Sequence, residues 1–343
     1  MLDVCGIGTH IRAKVVRKYQ KNDIFAMKDM GVKAEIYIKR HTFALMEENI
    51  KKHRSGFVNI IGNPNVGKST LMNALVGQEL SIITSKAQTT RHRILGVVSG
   101  DDFQVVLSDT PGIIRPAYRL QENMMEFVKS AFEDADILLY MIEPGEKELK
   151  DPTFYRKIET ATVPVLLVIN KIDTIDQNRL EEVVEFWSEK LPRVEIHAIS
   201  AREKFAVKDL LDRIVELLPE GPAYYPKDTL TDKPERFFVN EIIRQKILLN
   251  YTKEVPYSVE VETESFLEEE DIIRIRAVIY VERASQRPII IGHKGTAIKK
   301  VGIEAREDME RFFGKRVYLE TFVKVNDGWR SNKNSLRHFG YEF

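Results

Sequence analysis

The chain has 343 residues, 52 Lys+Arg against 52 Asp+Glu, and a formal net charge of zero. That balance excludes a protein that finds nucleic acid or an anionic membrane through its overall field, so any such binding must come from a local patch. Its length suggests roughly two domains, the single cysteine, Cys5, excludes an internal disulfide framework, and no apolar run approaches the roughly 18 residues of a membrane-spanning helix.

Residues 1–55 carry twelve Lys/Arg and six Asp/Glu. They show no clean helical or strand period, and they lack the apolar region and small-residue cleavage site of a signal peptide. Six acids also argue against a targeting presequence. The reading is an N-terminal basic extension over 1–54, either a disordered arm or sequence upstream of a true start, for which Met46 is the candidate.

From 55 to 218 short β-branched runs alternate with amphipathic segments. Strands are predicted at 57–62, 93–98, 103–108, 136–142, 164–170 and 194–200. Such alternation implies βα crossovers and an α/β domain, mostly parallel, with helices on both faces of its sheet. Ligands of such sheets sit at the carboxyl ends of the strands. Residues 219–234 hold four of the thirteen prolines and read as an extended linker. An α-β-β-α-α-β order over 235–343 then predicts a separate α+β domain with a C-terminal tail.

The strongest motif runs from Gly62 through Asn63, Pro64, Asn65, Val66 and Gly67 to Lys68 and Ser69, a GxxxxGKS sequence between a strand and a helix that continues with Thr70. Its glycines let backbone N–H groups wrap phosphates at the positive end of the helix dipole. Lys68 is expected to reach the β/γ-phosphates, and the Ser69 hydroxyl to bind Mg²⁺. A second strand ends in Asp109, Thr110, Pro111 and Gly112. There a carboxylate can hold the Mg²⁺ hydration shell, and the Gly112 N–H can sense a γ-phosphate; alone, the same four residues would read as a turn.

Asn170, Lys171, Ile172 and Asp173 follow a later strand. The Asp173 carboxylate can accept guanine N1–H and N2–H₂ together, whereas adenine would leave it facing the wrong groups, a costly mismatch. Asn170 is expected to brace the loop, and the Lys171 stem to cover the ring. Ile199, Ser200 and Ala201 supply a small turn on the guanine O6 side.

In the second domain Gly292, His293, Lys294 and Gly295 form a GxxG turn between two helices, which lets an RNA backbone approach closely. Residues 283–303 contain Arg283, Arg287, Lys294, Lys299 and Lys300 and no acid, reading as a phosphate track. The neutral total therefore hides two basic segments set against an acidic remainder. Val183, Phe186 and Trp187 share helical spacing and read as core. Trp329 is open between stacking on a base and packing the C-terminal segment. The seven histidines show no metal-ligand spacing.

Taken together, GNPNVGKSTLMNALVG, SKAQTTRHRILG, DTPGI and NKID resemble the Era family of translation-factor-class GTPases. EVPYSVEVE, IIIGHKGTAIKKVGIEAR and VKVNDGWRSNKNSLRHFGY carry the resemblance over about 55–343. It implies a type II KH domain, an effector loop at Gln88–His92 in which Thr90 closes on Mg²⁺, and catalytic roles for Lys68, Thr90 and Gly112 in GTP hydrolysis. It further implies binding of the 3′ end of small-subunit ribosomal RNA during small-subunit assembly. The protein is expected to be a cytoplasmic monomer, with peripheral association at the inner face of the cell membrane as in the family. Ile113 stands where Ras-type enzymes carry a water-orienting glutamine, as is usual in this group, so slow turnover driven by electrostatics is expected. In related GTPases an asparagine at the position of Asn65 helps bind a monovalent cation, which implies stimulation by K⁺. Alternatives are another ribosome-associated or RNA-modification GTPase, a metabolic P-loop enzyme such as a nucleoside kinase, and a binding module whose nucleotide is structural. DTPG and NKID count against the kinase.

Overall fold

The computed structural model describes residues 53–84, 86 and 88–341. Met46 and residues 1–52 of the basic extension lie outside them. The first strand begins at Arg54, three residues before the expected start.

Among the described residues, eleven strands and α-helices build the first domain. They are β1 (Arg54–Ile61), α1 (Lys68–Val76), β2 (Ile94–Ser99), β3 (Phe103–Asp109), α2 (Arg119–Glu133), β4 (Ile137–Ile142), α3 (Pro152–Glu159), β5 (Val165–Ile169), α4 (Gln177–Lys190), β6 (Glu195–Ala198) and α5 (Val207–Leu217). The sheet order is β2-β3-β1-β4-β5-β6, and every pair is parallel except β2 with β3. Alternation along a strand sends neighbouring side chains to opposite faces. In β4, Leu139 and Met141 pack with Leu71, Met72, Leu210 and Ile214 of α1 and α5. Leu138, Tyr140 and Ile142 pack with Met124, Phe154 and Trp187 of α2, α3 and α4. Both faces are thus covered, which is why the strands read as continuous apolar runs.

Local signals fix the helix ends. The Asp151 carboxylate accepts from the Thr153 N–H ahead of Pro152 at the start of α3, and Asp176 accepts from Arg179 at the start of α4. Gly77, in the left-handed region, closes α1. Trp187 is fully buried edge-on to Tyr140. Phe186 departs from the core expectation: it is 37 % exposed, because one step along α4 rotates it away from the sheet, and the Lys190 ammonium lies over its ring.

The second domain comprises α6 (Glu235–Asn250), β7 (Val259–Glu268), β8 (Ile272–Val281), α7 (Arg287–Ile291), α8 (Thr296–Phe313), β9 (Arg316–Val325) and α9 (Lys333–His338). Its sheet order is β7-β8-β9, antiparallel then parallel. Ile243 and Ile247 of α6 and Val301, Ala305 and Met309 of α8 bury one face of that sheet.

Residues 219–234 do not hang free between the domains. The Val97 N–H donates to Leu230 O (2.9 Å), the Leu95 N–H donates to Asp232 (3.1 Å), and Gly96 pairs with Thr231. The segment thereby covers the edge strand β2. The C-terminal tail crosses back: Trp329, Leu336 and Tyr341 join the apolar layer of the first domain on the α2 side. Trp329 is fully buried, with its indole N–H donating to Ser258 O at 2.9 Å, so packing decides its role.

Candidate functional site

The phosphate loop joins β1 to α1. Gly67 has φ 102°, and a Cβ there would lie 2.2 Å from Asn170 Nδ2, so only glycine fits. Asn170 itself is buried. Its Nδ2 donates to Val66 O (2.8 Å) and its Oδ1 accepts from the Ala201 N–H (2.9 Å). One side chain thus ties together the phosphate loop, the 170–173 loop and the 199–201 turn. Asn63 does similar work, donating to Glu146 (2.8 Å) and Glu148 O (3.0 Å) and accepting from the Lys150 N–H (3.0 Å).

Lys68 is buried, with its ammonium donating to Gly62 O (3.2 Å) and Asn63 O (2.9 Å). Burial pulls its pKa down to about 8, against the attraction of Asp109 and Glu146. An arriving phosphate would reverse that shift by supplying the missing anion.

Asp109 is fully buried at the end of β3. Its Oδ2 accepts from Ser69 Oγ (2.6 Å) and Thr90 Oγ1 (3.3 Å), and the two hydroxyls stand 3.0 Å apart. Its Oδ1 has no hydrogen-bond partner among the described residues. Burial raises the Asp109 pKa, and the bonds from Ser69 and Thr90 and the charge of Lys68 only partly oppose it. A carboxylate held dry, with an orphaned oxygen and two converging hydroxyls, fits a small hard cation that takes oxygen ligands and keeps several waters, as Mg²⁺ does. Among the described residues no group of three or more His, Cys, Asp or Glu could hold a metal.

A cavity of about 1110 Å³ opens above these groups. Pro64, Asn65, Gly67, Lys68, Ser69, Thr70, Thr90 and Gly112 line one part; Asn170, Lys171, Asp173 and Ala201 line another. Asp173 is exposed rather than buried, and its Oδ1 accepts from Ser200 Oγ at 2.6 Å. The Lys171 ammonium pairs with Glu143. Val66, Thr110, Pro111, Ile113 and Ile199 are buried, and their side chains do not line the cavity. Thr110 instead donates to Ile60 O (2.7 Å), and the Ile113 N–H donates to Gly62 O (3.0 Å). Ile172 opens a short 3-10 turn, Ile172–Thr174.

Further residues escaped sequence reasoning. Gln78, Glu79, Ile83 and Lys204 also line the cavity. Asn73 clamps the turn after α1, accepting from the Leu80 and Ser81 N–H groups (both 3.0 Å). Arg91 and His92, which the resemblance places in the effector loop, pack against the second domain, Arg91 buried and His92 half-buried. Arg91 donates to Val259 O (2.8 Å), Tyr257 O (3.1 Å) and Glu260 (2.9 Å). The His92 ring stacks on Tyr341 at 4.2 Å. These pairings span more than 160 residues, and no local motif announces them.

In the second domain Gly292, His293, Lys294 and Gly295 make a tight turn between α7 and α8. The Gly295 N–H donates to Gly292 O (3.2 Å), and Thr296 Oγ1 donates to His293 O (2.9 Å). Arg283, Arg287, His293, Lys294, Lys299 and Lys300 are exposed, with Lys300 near Glu304 at 3.7 Å.

A doubly covered sheet with these loops at its carboxyl edge, followed by an αββααβ module with a GxxG turn, defines a P-loop GTPase joined to a KH domain. Family models match both parts, a 50S ribosome-binding GTPase over residues 57–171 and a KH domain over 254–330. GTPase Era of Thermoanaerobacter sp. (strain X514) is 44 % identical over 292 residues, covering 84 % of this chain and 97 % of its own. GTPase Era of Alkaliphilus metalliredigens is 42 % identical over 293 residues, covering 84 % and 99 %. The chain belongs to the Era family of GTPases. Two solved structures are similar at 38 % identity and TM-score 0.81: Era with MgGDPNP and nucleotides 1506–1542 of 16S ribosomal RNA, covering 85 % of this chain and all of that one, and an Aquifex aeolicus Era variant bound to GDP·AlF4⁻, covering 84 % and all of that one.

Proposed function

We propose that this protein binds and hydrolyses GTP as a switch, binds the 3′ end of small-subunit ribosomal RNA, and assists assembly of the small subunit. The observation that carries the proposal is the convergence of Ser69, Thr90 and Asp109 within 2.6–3.3 Å beside a cavity that Ser69, Thr90 and Asp173 line. Lys68 and the N–H groups at the start of α1 bind the β/γ-phosphates. The Gly112 N–H meets the γ-phosphate, and Asp173 reads guanine with Ser200 holding its other oxygen. Ser69 and Thr90 would hold Mg²⁺, with Asp109 reaching it through water; the metal would supply positive charge beside the phosphate oxygens during hydrolysis to GDP and phosphate. Ile113, at the position of the water-orienting glutamine of Ras-type enzymes, is apolar and fully buried and cannot orient water; turnover therefore rests on electrostatic stabilisation.

Residues 55–218 form the GTPase unit, 219–234 the connection, and 235–343 the RNA-binding unit, in which Gly292–Gly295 and the exposed basic residues from Arg283 to Lys300 face the RNA backbone. The matched GTPase family is one that binds the 50S subunit, but the match spans only residues 57–171. The relative solved with 16S RNA matches across both domains, and this favours the small subunit. The protein works as a cytoplasmic monomer with peripheral attachment at the membrane, as the family resemblance implies; no helix among the described residues is long and apolar enough to cross a membrane. K⁺ bound beside Asn65 supplies further positive charge at the phosphates.

The test is hydrolysis of GTP and ATP with Mg²⁺, in K⁺ and in Na⁺, by the parent, Lys68→Ala and Asn65→Ala. Preference for GTP in the parent, with turnover lost in Lys68→Ala, supports the reading, and preference for ATP defeats it. Equal rates in K⁺ and Na⁺, with Asn65→Ala like the parent, would remove the K⁺ site alone.

A further inference from the structure

Thr90 sits in the stretch between α1 and β2, which has no regular secondary structure from Gly77 to Arg93 among the described residues. Such a stretch does not hold a hydroxyl 3.0 Å from Ser69 by its own propensity, because ordering it costs backbone entropy at every residue. The second domain supplies the restraint. Arg244, on the inner face of α6 and only 1 % exposed, donates from Nη2 to the carbonyl oxygen of Thr89 at 2.6 Å. Its other contacts fix the guanidinium in turn: Nε donates to Glu241 Oε1 at 2.8 Å, and Nη2 also pairs with Glu241 Oε2. Glu241 is itself buried. A charged donor on a buried carbonyl is among the stronger protein hydrogen bonds, and the planar fork loses little freedom in making it. On the other side of Thr90, the Arg91 and His92 contacts to Val259, Glu260 and Tyr341 hold the chain against the same domain.

We propose that Arg244 is a positioning residue for the GTPase reaction: by holding the Thr89 carbonyl it fixes the Thr90 hydroxyl at the metal position, so that the KH-bearing half of the chain completes the catalytic site of the other half. Arg244 does not line the nucleotide cavity. It acts as outer-sphere groups do at metal sites, where their loss costs about 10–100-fold in metal affinity or activity. The inference rests on the reading of Thr90 as a Mg²⁺ ligand.

The experiment measures GTP hydrolysis against free Mg²⁺ concentration with the full chain, together with GDP affinity. Removing Arg244 alone would strand the Glu241 charge, so the variant is the pair Glu241→Gln with Arg244→Met, which takes both charges away at similar volume. The pair variant is expected to raise the half-maximal Mg²⁺ concentration at least tenfold while GDP affinity stays within twofold of the parent. In a Thr90→Ala background the same pair is expected to change hydrolysis less than twofold, since the group it positions is gone. Arg244→Lys keeps the charge opposite Glu241 but loses the two-pronged reach, and serves if the pair variant folds poorly; its expected shift is threefold or more. A folded pair variant or Arg244→Lys with the parental Mg²⁺ midpoint overturns the proposal, as does an equal loss in both backgrounds. If Thr90→Ala leaves the midpoint unmoved, the metal-ligand reading fails and the proposal falls with it.

Discussion

The two glycines of the GxxG turn occupy different backbone regions, and exchanging each for a residue with a side chain should separate them. Gly292 has φ 72° and ψ 176°, a region that is essentially glycine-only and costs other residues about 1–3 kcal/mol. A Cβ there would meet Ala297 Cβ at 2.5 Å and Ala297 N at 3.0 Å, so the first turn of α8 must shift, at about 1–3 kcal/mol more. Gly292→Ala is thus expected to lose about 2–6 kcal/mol of local stability from these two sources. Gly295 has φ 78° and ψ 10°, and nothing lies within 4 Å of a Cβ built on it. Asparagine enters that left-handed region readily, so Gly295→Asn should cost about 1 kcal/mol or less. Amide hydrogen exchange across residues 288–300 reads the difference: Gly292→Ala should accelerate exchange at the start of α8 on the order of thirtyfold or more, and Gly295→Asn only a few-fold. RNA affinity should fall with Gly292→Ala while GTP hydrolysis without RNA persists. Equal exchange in the two variants would refute the reasoning.

Three other outcomes follow from the sites. Asp173→Asn should weaken GTP binding at least about a hundredfold, because an amide cannot accept N1–H and N2–H₂ together; xanthosine triphosphate, which offers a 2-oxo acceptor, should lose far less, and competition titration compares them. Burial, reinforced by the charges of Arg244, Lys233 and Arg91, pulls the His92 pKa down to about 3. The unfolded chain therefore takes up a proton near pH 6.5 that the folded chain refuses, so stability is fullest above pH 6.5 and falls as the pH drops toward 3. By pH 5 the loss is about 2 kcal/mol. Denaturant titrations at pH 7.5 and 5 should show that difference in the parent, and a smaller one in His92→Phe; an equal difference in both would discount the histidine. Lys68→Met should reduce GTP affinity while leaving RNA affinity without nucleotide unchanged, as filter binding would show.

The parts legible in the sequence are those whose physics is local. Gly67 takes a φ of 102° in the tight turn between β1 and α1, and Asp109 ends a strand whose apolar residues are buried on both faces; both facts project onto short strings. The helix order of the second domain was readable for the same reason, since 3.6-residue and two-residue periods survive without tertiary knowledge. Phe186 was misread because it follows Val183 at i+3 as Trp187 does at i+4, and only the sheet's position tells which of the two is covered. Arg91, His92 and Arg244 were silent: each looks like a polar surface residue in its own segment, and burial comes from a domain 150 or more residues away. The proline-rich segment looked like a tether because nothing in it signals the exposed backbone of β2 that it pairs with.

The central claim is a GTP-dependent switch that acts on the 3′ end of small-subunit RNA. Its most direct test is the affinity of the full chain for an oligonucleotide of that 3′ end, with Mg²⁺ and either GDPNP or GDP, beside a scrambled oligonucleotide. The account predicts tighter binding with GDPNP than with GDP, and weak binding of the scrambled sequence in both. Equal affinity for the two oligonucleotides, or affinity that ignores the nucleotide, would contradict it.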